Sequence, residues 1–326
     1  MAEGSDNRRL VRRIFDRLAK PHVEDIKQGQ LGLLEAIHLL HGDLGRIHQE
    51  VEVLNGRVEA IEVQAQRAAE IGRHVYDEEP ENRRRLRGMR RSEDYELAFS
   101  ESEPLVSFLV PTYTSYESLR DVALPSILGQ GYANLEVIVV GDHAPPETEE
   151  AVASLGDQRL SYFNRTIRGP YPADPDRRWY VIGTPPLGEA LARARGRWIA
   201  VLGDDDAIRP DHTEKLLAAA QRNRWEHCYG LQLVNFPEGE PITLGKFPPE
   251  LGHWGLQSAL YHSGLRFIEP ELTDAIYQEP NDWSICRRMV RCGVRTGMIE
   301  EIVVDKYETR RSSSEAWKGG SVPRVD

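Results

Sequence analysis

The segment GRWIAVLGDDDAIRPD, Gly196 to Asp211, carries the strongest structural signal in the chain. Gly196 is a turn residue. Trp198-Ile199-Ala200-Val201-Leu202 is an unbroken apolar run of strand length, the pattern of a strand buried on both faces of a parallel sheet. Asp204, Asp205 and Asp206 follow it directly. Ligands of open α/β sheets sit beyond the carboxyl ends of such strands. Three adjacent carboxylates repel one another, and a divalent cation relieves the repulsion. Hard oxygen ligands suit Mg²⁺ or Mn²⁺, above all an ion shared with substrate phosphates. The competing reading is a solvated acidic turn. Asp211 and Glu214 have capping-box spacing, so Asp211 is expected to cap a helix rather than bind metal.

Upstream, the same grammar repeats. Val106 to Val110 reads as a buried strand ending at Pro111-Thr112-Tyr113, followed by a helix from Tyr116 to Gly129 with Pro125 as a local irregularity. Leu135 to Val140 is a second strand, ending at Gly141-Asp142, and Glu147 to Leu155 a second helix. Arg159 to Phe163 is a third strand. A long loop, Asn164 to Gly183, and a helix from Pro186 to Arg195 lead back to the opening segment. Strands alternating with helices predict an α/β fold with a mostly parallel sheet and right-handed crossovers. A loop of that length inside a domain is usually functional or mobile. Downstream, strands are expected at Trp225–Phe236, Ile242–Phe247 and Ile299–Asp305, and a helix at Ser284–Arg291. His253, Trp254, Tyr261 and His262 either stack on a sugar or fill the core.

Neither a P-loop nor a G-x-G-x-x-G fingerprint is present, so neither P-loop chemistry nor a dinucleotide Rossmann site is supported. A sheet binding nucleotide without a glycine-rich phosphate loop needs another way to neutralise a diphosphate, and a metal on the acidic triplet supplies one. Asp142, just past a strand end, can accept the ring N–H of uracil, thymine or guanine. It can equally initiate the turn before Pro145-Pro146.

The 326 residues allow one large α/β domain plus an extension. Net charge is -11, unevenly spread. Residues 1–91 hold 17 Lys and Arg against 16 Asp and Glu, and the remainder holds 24 against 36. Nucleic-acid binding by the acidic part is excluded as a main function, since phosphate neutralisation needs a basic surface. No apolar run reaches bilayer-spanning length and no secretory signal is visible. The three cysteines, Cys228, Cys286 and Cys292, are few and irregularly spaced, which suggests a reducing compartment and no zinc site. The expected location is cytoplasmic, with the inner face of the membrane as the place of any peripheral contact.

Residues 8–20 form a basic amphipathic segment suited either to an anionic membrane surface or to packing on its own protein, and Pro21 is expected to end or kink it. From Leu33 a heptad stripe takes over: Leu33, Ile37, Leu40, Leu44, Ile47, Val51, Leu54, Val58 and Ile61, continuing to Ala65 and Ala68. A stripe this narrow over about five heptads predicts a coiled coil, most simply a dimer, with Arg57 and Glu62 placed for an attractive g–e′ pair. Gly42, Gly45 and Gly56 weaken the helix locally. Residues 78–104, with Arg83, Arg84, Arg85, Arg87, Arg90 and Arg91, are expected to be a solvated charged linker. The expected divisions are therefore 1–77 helical, 78–104 linker, 105–311 catalytic domain and 312–326 flexible tail.

VSFLVPTY (106–113), SILGQ (126–130) and NLEVIVVGD (134–142) together resemble the opening of inverting family 2 glycosyltransferases of the GT-A fold. ALARARGRWIAVLGDDD (190–206) is similar to the segment leading into that family's Asp-x-Asp motif. The resemblance covers roughly residues 105–225 and continues more weakly to about 310. It implies a nucleoside-diphosphate sugar donor (UDP, dTDP or GDP), a glycan or small-molecule acceptor, and Mg²⁺ or Mn²⁺. It implies that Asp142 reads the nucleobase, with Pro111, Thr112 and Tyr113 lining the same pocket. Asp205 is implied as the main metal ligand, with Asp206 beside it and Asp204 near the ribose or metal. Asp282, in Gln278-Glu279-Pro280-Asn281-Asp282-Trp283, is placed like the family's catalytic base, with Glu279 the next candidate. On residue type alone Asn281 or Asp282 equally suits a helix cap. Arg168 has the charge and shape to meet a diphosphate.

Three positions depart from the family pattern. Gly203 stands where an acid is common and Gly188 where an asparagine is common. Tyr307 is followed by Glu308-Thr309-Arg310 without the family's histidine, which leaves Arg310 as a substitute. Two other functions stay open, the second because of these departures. One is a sugar nucleotidyltransferase, which would release pyrophosphate and lacks its usual glycine-rich activating loop here. The other is a non-catalytic coiled-coil assembly protein with a degenerate transferase domain.

Overall fold

β1 (Val106–Thr112) lies at the centre of the parallel half of the sheet. It pairs in parallel with β2 (Leu135–Gly141) on one side and with β4 (Trp198–Val201) on the other. β3 (Leu160–Asn164) adds in parallel outside β2. The chain thus winds outward from β1 through β2 and β3, then returns to lay β4 on the opposite side. That reversal creates a crevice at the carboxyl end of β1, where open α/β sheets bind ligands. The computed structural model describes residues 11–307.

Beyond β4 the sheet turns mixed. β8 (Ala259–His262) runs antiparallel to β4, and β6 (His227–Asn235) antiparallel to β8. β9 (Thr296–Tyr307) is parallel to β6, and the two-residue β5 (Ala207–Ile208) closes the order as an antiparallel partner of β9. β7 (Ile242–Leu244) pairs with β6 alone. The strands expected at 225–236, 242–247 and 299–305 are all present, the last with a longer N-terminal half.

Alternation within the strands sorts the core into two layers. Leu109, Ile138, Val140, Ile199 and Val201 face one layer. It is filled from the helix Thr184–Arg193 by Leu187 and Leu191, and from the helix Asn281–Cys292 by Ile285 and Met289. Phe108, Val110, Val137, Val139, Trp198 and Ala200 face the other layer. Leu119, Leu124 and Ile127 cover it together with Leu216 and Leu217 of the helix His212–Asn223. Strands buried on both faces explain the continuous apolar runs in the sequence. Gly196 is required where it stands, because a Cβ there would meet the Leu105 carbonyl oxygen and the Ser107 nitrogen at 2.7 Å. The irregularity expected at Pro125 lies one turn earlier, as a π-turn over Leu119–Ala123. Proline at 125 has no N–H to donate back, and the wider turn takes up the mismatch.

The chain divides into two units, residues 1–70 and 71–326. In the first unit the described residues are helical throughout. Pro21 does not end the helix. A π-turn, Phe15–Ala19, precedes it, and Lys20–Met89 then runs as one helix. The wider π-turn directly ahead of Pro21 takes up the mismatch left by the donor that proline lacks, as at Pro125. The heptad residues Leu33 to Ile61 are each 45% to 63% exposed. Arg8, Arg9 and Leu10 of the basic segment lie outside the described residues, as do Arg310 and the tail 312–326.

Residues 78–104 are not a solvated linker. The long helix continues to Met89, and a second helix, Glu93–Ser100, follows. Leu86, Met89, Tyr95 and Ala98 are buried in the second unit. The arginines that looked like a polybasic run are largely committed within the chain. Arg84 and Arg85 bind Glu81, and Arg83 binds Glu79 and the Arg291 carbonyl. Arg90 makes a two-pronged bond, at 2.6 and 2.7 Å, with the fully buried Glu226. Tyr95 also donates to Glu226 at 2.9 Å. Side-chain burial every three to four residues was hidden in the sequence by the density of charge around it.

Candidate active site

Thr112, Asp142 and the acidic triplet stand at the carboxyl ends of β1, β2 and β4. Thr112, the last residue of β1, joins the neighbours on both sides. Its carbonyl accepts the Asp142 N–H at 2.8 Å, and its hydroxyl donates to Asp204 Oδ2 at 2.7 Å. Asp142 and Asp204 therefore flank Thr112 because β2 and β4 flank β1.

Asp142 is buried and heavily engaged. Its Oδ1 accepts from the Gly169 N–H at 3.1 Å, with Arg165 Nε at 3.3 Å. Its Oδ2 accepts from the Tyr171 hydroxyl at 2.5 Å. Arg168 Nε stands 4.0 Å from Oδ2, and its guanidinium lies 3.9 Å over the Tyr113 ring. The loop 164–183 thus folds over the crevice mouth and supplies four groups to one carboxylate. Burial and the Asp142 charge both push the Tyr171 hydroxyl up, which keeps it a donor.

The same loop reaches across to the candidate base. Tyr171 Oη accepts the Gly183 N–H at 3.2 Å. The Asn281 N–H donates to the Tyr180 carbonyl at 2.9 Å, and its side-chain amide donates to Thr184 Oγ1 at 3.0 Å. Asn281 therefore docks the start of its helix against the loop instead of capping it. Asp282 does not cap across a turn either; its Oδ1 accepts the adjacent Trp283 N–H, at 2.7 Å. Burial raises the Asp282 pKa, opposed by that N–H and by the Lys306 ammonium. Glu279 is bound two-pronged by Arg287 at 2.6 and 2.8 Å, which ties it to the helix Asn281–Cys292 that follows it.

Lys306 leads back to the acidic triplet. The next residue, Tyr307, donates its N–H to Asp206 Oδ1 at 3.0 Å, and β5, just after the triplet, pairs with β9 at Asp305. Asp142, the loop, Asn281-Asp282, the end of β9, the triplet and Thr112 thus form a closed circuit of contacts. Asp204 is pushed up to about 6 by burial, eased by the Thr112 hydroxyl and reinforced by the neighbouring Asp205 charge.

Among the described residues no group of three or more His, Cys, Asp or Glu side chains is arranged to hold a metal ion. Two carboxylates do converge. A Cβ on Gly203 would meet Asp205 Oδ1 at 3.2 Å and Asp206 Oδ2 at 3.3 Å. The absent side chain leaves a cradle lined by two acidic oxygens. That set fits a hard cation whose other ligands are diphosphate oxygens and water.

Asp211 stands at the N-cap of the helix His212–Asn223, but its side chain makes no capping bond and pairs instead with Lys215 at 2.7 Å. Trp254, Tyr261 and His262 are buried core residues, whereas His253 is exposed. Sequence reasoning missed Tyr171, Arg165 and Lys306. Tyr171 and Arg165 sit in a loop without periodicity, and Lys306 at a strand end, so nothing local marks their partners.

Residues 187–274 match the model of glycosyl transferase family 2, a segment running from the helix before β4 through the triplet to Asp274. The succinoglycan biosynthesis protein ExoO of Rhizobium meliloti is 34% identical over 119 residues, which are 36% of this chain and 30% of that protein. A Campylobacter jejuni GalNAc(5)-diNAcBac-PP-undecaprenol beta-1,3-glucosyltransferase is 27% identical over 133 residues, 40% of this chain and 39% of that protein. The match to the first relatives spans 30% of their length. In fold, the chain is similar to S. aureus TarS residues 1–349 in complex with UDP-GlcNAc, with a TM-score of 0.52 and 18% identity over 64% of this chain and 61% of that one. The sheet order, the acidic turn after β4 and the matched segment agree: residues 187–274 form a segment of glycosyl transferase family 2 within a fold of the GT-A type.

Proposed function

We propose that the domain transfers a sugar from a nucleoside-diphosphate sugar to an acceptor hydroxyl by a single displacement that inverts the anomeric carbon. The observation that supports this reading is the run of contacts that links Asp142 through the loop and Asn281 to Asp282, and through Tyr307 and the triplet back to Thr112. Asp142 accepts the nucleobase N–H once the Tyr171 hydroxyl has left it. Arg168, stacked on Tyr113 at the same mouth, meets the donor's diphosphate. Asp282 takes the acceptor's proton as its oxygen attacks. Burial favours the protonated carboxyl and so helps Asp282 hold that proton, while Lys306 keeps it ionised beforehand. Asp205 and Asp206 would hold Mg²⁺ or Mn²⁺, which supplies positive charge against the departing diphosphate. Asp204 is anchored by Thr112 beside them and faces the ribose side.

The two named relatives act in glycan assembly, so a glycan acceptor at the cytoplasmic face of a membrane is the first class to try. No helix among the described residues is long and apolar enough to cross a membrane. The TarS complexes contain UDP-GlcNAc and UDP, which makes UDP the first donor base to test.

The test is calorimetry with UDP, dTDP and GDP, each with Mn²⁺ and with EDTA, followed by assay of nucleoside diphosphate release from the matching sugar. Metal-dependent binding of one diphosphate and its release on turnover are expected. Folded protein that binds none of them would refute the donor site, and pyrophosphate release would indicate nucleotidyl transfer instead.

A further inference from the structure

We propose that residues 23–61 pair with a second copy of this chain as a parallel, in-register, two-stranded coiled coil. The inference concerns the first unit alone and is independent of the transferase reading. In the heptad frame set by Leu33 at d, the a positions are Val23, Gln30, Ile37, Leu44, Val51 and Val58. The d positions are Ile26, Leu33, Leu40, Ile47, Leu54 and Ile61. The stripe therefore begins a full heptad and a half before Leu33. Its apolar members are 43% to 63% exposed on a continuous helix. β-Branched residues prevail at a and leucine is frequent at d, the pairing that favours two strands.

The flanking residues favour a second copy as the occupant, in one orientation. In a parallel dimer each g residue faces the e′ residue five positions on. From Ala36 to Glu62 those pairs are Ala36–His41, Asp43–His48, Glu50–Asn55 and Arg57–Glu62. None sets like charges together, and Arg57–Glu62 is attractive at neutral pH. Asp43 also pairs with Arg46 along its own helix, so Arg57–Glu62 is the cleaner determinant. Gln30 is polar at an a position, a residue type that fixes register at some cost in stability. In a parallel pair both chains leave the coiled coil at the same end, toward residue 70.

The full chain, measured by light scattering after size exclusion, is expected at twice its 37.0 kDa mass. Val51→Asp with Val58→Asp places like charges across two core layers and is expected to give the single-chain mass, with the melting of the second unit unchanged. Orientation is read from Leu40→Cys and, separately, Ile61→Cys under mild oxidation. Both are expected to form interchain disulfides, and the native Cys228, Cys286 and Cys292 are buried and do not interfere. Arg57→Glu replaces two attractive pairs with two repulsive ones and is expected to raise the dissociation constant about tenfold, with Glu62→Arg in the same chain restoring it. A wild-type monomer at micromolar concentration would overturn the proposal. So would a dimer that survives the double aspartate variant, or crosslinking at only one of the two cysteine positions.

Discussion

Tyr171→Phe should strengthen nucleotide binding. In the free protein the Tyr171 hydroxyl donates to Asp142 Oδ2 at 2.5 Å, and Asp142 is only 3% exposed. A hydrogen bond to a charged, buried carboxylate contributes about 1.5–3 kcal/mol. If the nucleobase N–H replaces the tyrosine, wild-type binding must first break that bond, and phenylalanine removes the requirement while keeping the ring in place. The lower end of the range corresponds to roughly a tenfold gain in affinity. The Gly183 N–H, which donates to the same hydroxyl at 3.2 Å, loses its acceptor in both states and largely cancels. Calorimetry with UDP and Mn²⁺ measures the effect. Thermal unfolding without nucleotide supplies the counterpart, because the variant should be less stable by a similar amount. Unchanged or weaker nucleotide affinity would refute the reasoning. The tyrosine would then be holding Asp142 in its working orientation rather than standing in the base's place.

Asp282→Asn should leave nucleotide affinity within about twofold and lower turnover by about 10²–10⁴, the usual contribution of a general base; equal loss of binding and turnover would give Asp282 a structural role. Gly203→Ala brings a Cβ to 3.2 and 3.3 Å from the two converging oxygens, so it should weaken Mn²⁺ binding in the presence of UDP with little change in melting temperature. Unaltered Mn²⁺ affinity would remove the cradle as the metal position. Asp274 is 2% exposed, and burial pushes it up to about 7, although Ser284 donates to it at 2.8 Å. Its folded pKa lies above the unfolded value of roughly 4, so its contribution is complete below pH 4 and is lost as pH rises towards 7. Asp274→Asn keeps the Ser284 bond. In denaturant titrations it should match wild type near pH 4 and exceed it at pH 8 by on the order of 2–4 kcal/mol. A stability difference that is constant across that range would contradict this.

The heptad stripe and the strand–helix alternation were legible because each is a local periodicity. The exposure of apolar residues every three to four positions, and the burial of β1, β2 and β4 on both faces, follow from patterns any window of the sequence contains. Residues 78–104 were read wrongly for the same reason. Leu86 and Met89 are spaced for one helical face, yet the charges around them hid the fact that Arg90 and Tyr95 meet a buried Glu226 more than 130 positions away. Asp211 kept its place at a helix start but gave its carboxylate to Lys215, since a capping bond and an ion pair compete for the same oxygens.

The sequence by itself determined the parallel sheet, the acidic turn after β4 and the identity of the carboxylates, because strand burial and residue chemistry are local properties. Only the tertiary structure decided how those carboxylates are used. Thr112 ties Asp142 to Asp204 because β2 and β4 flank β1. Asp206 is held by the N–H of Tyr307, from a strand that begins ninety residues later in the chain. Tyr171 and Arg165 reach Asp142 because a twenty-residue loop closes over the crevice. Such contacts join residues distant in sequence through backbone paths set by the whole sheet, and no local pattern encodes them.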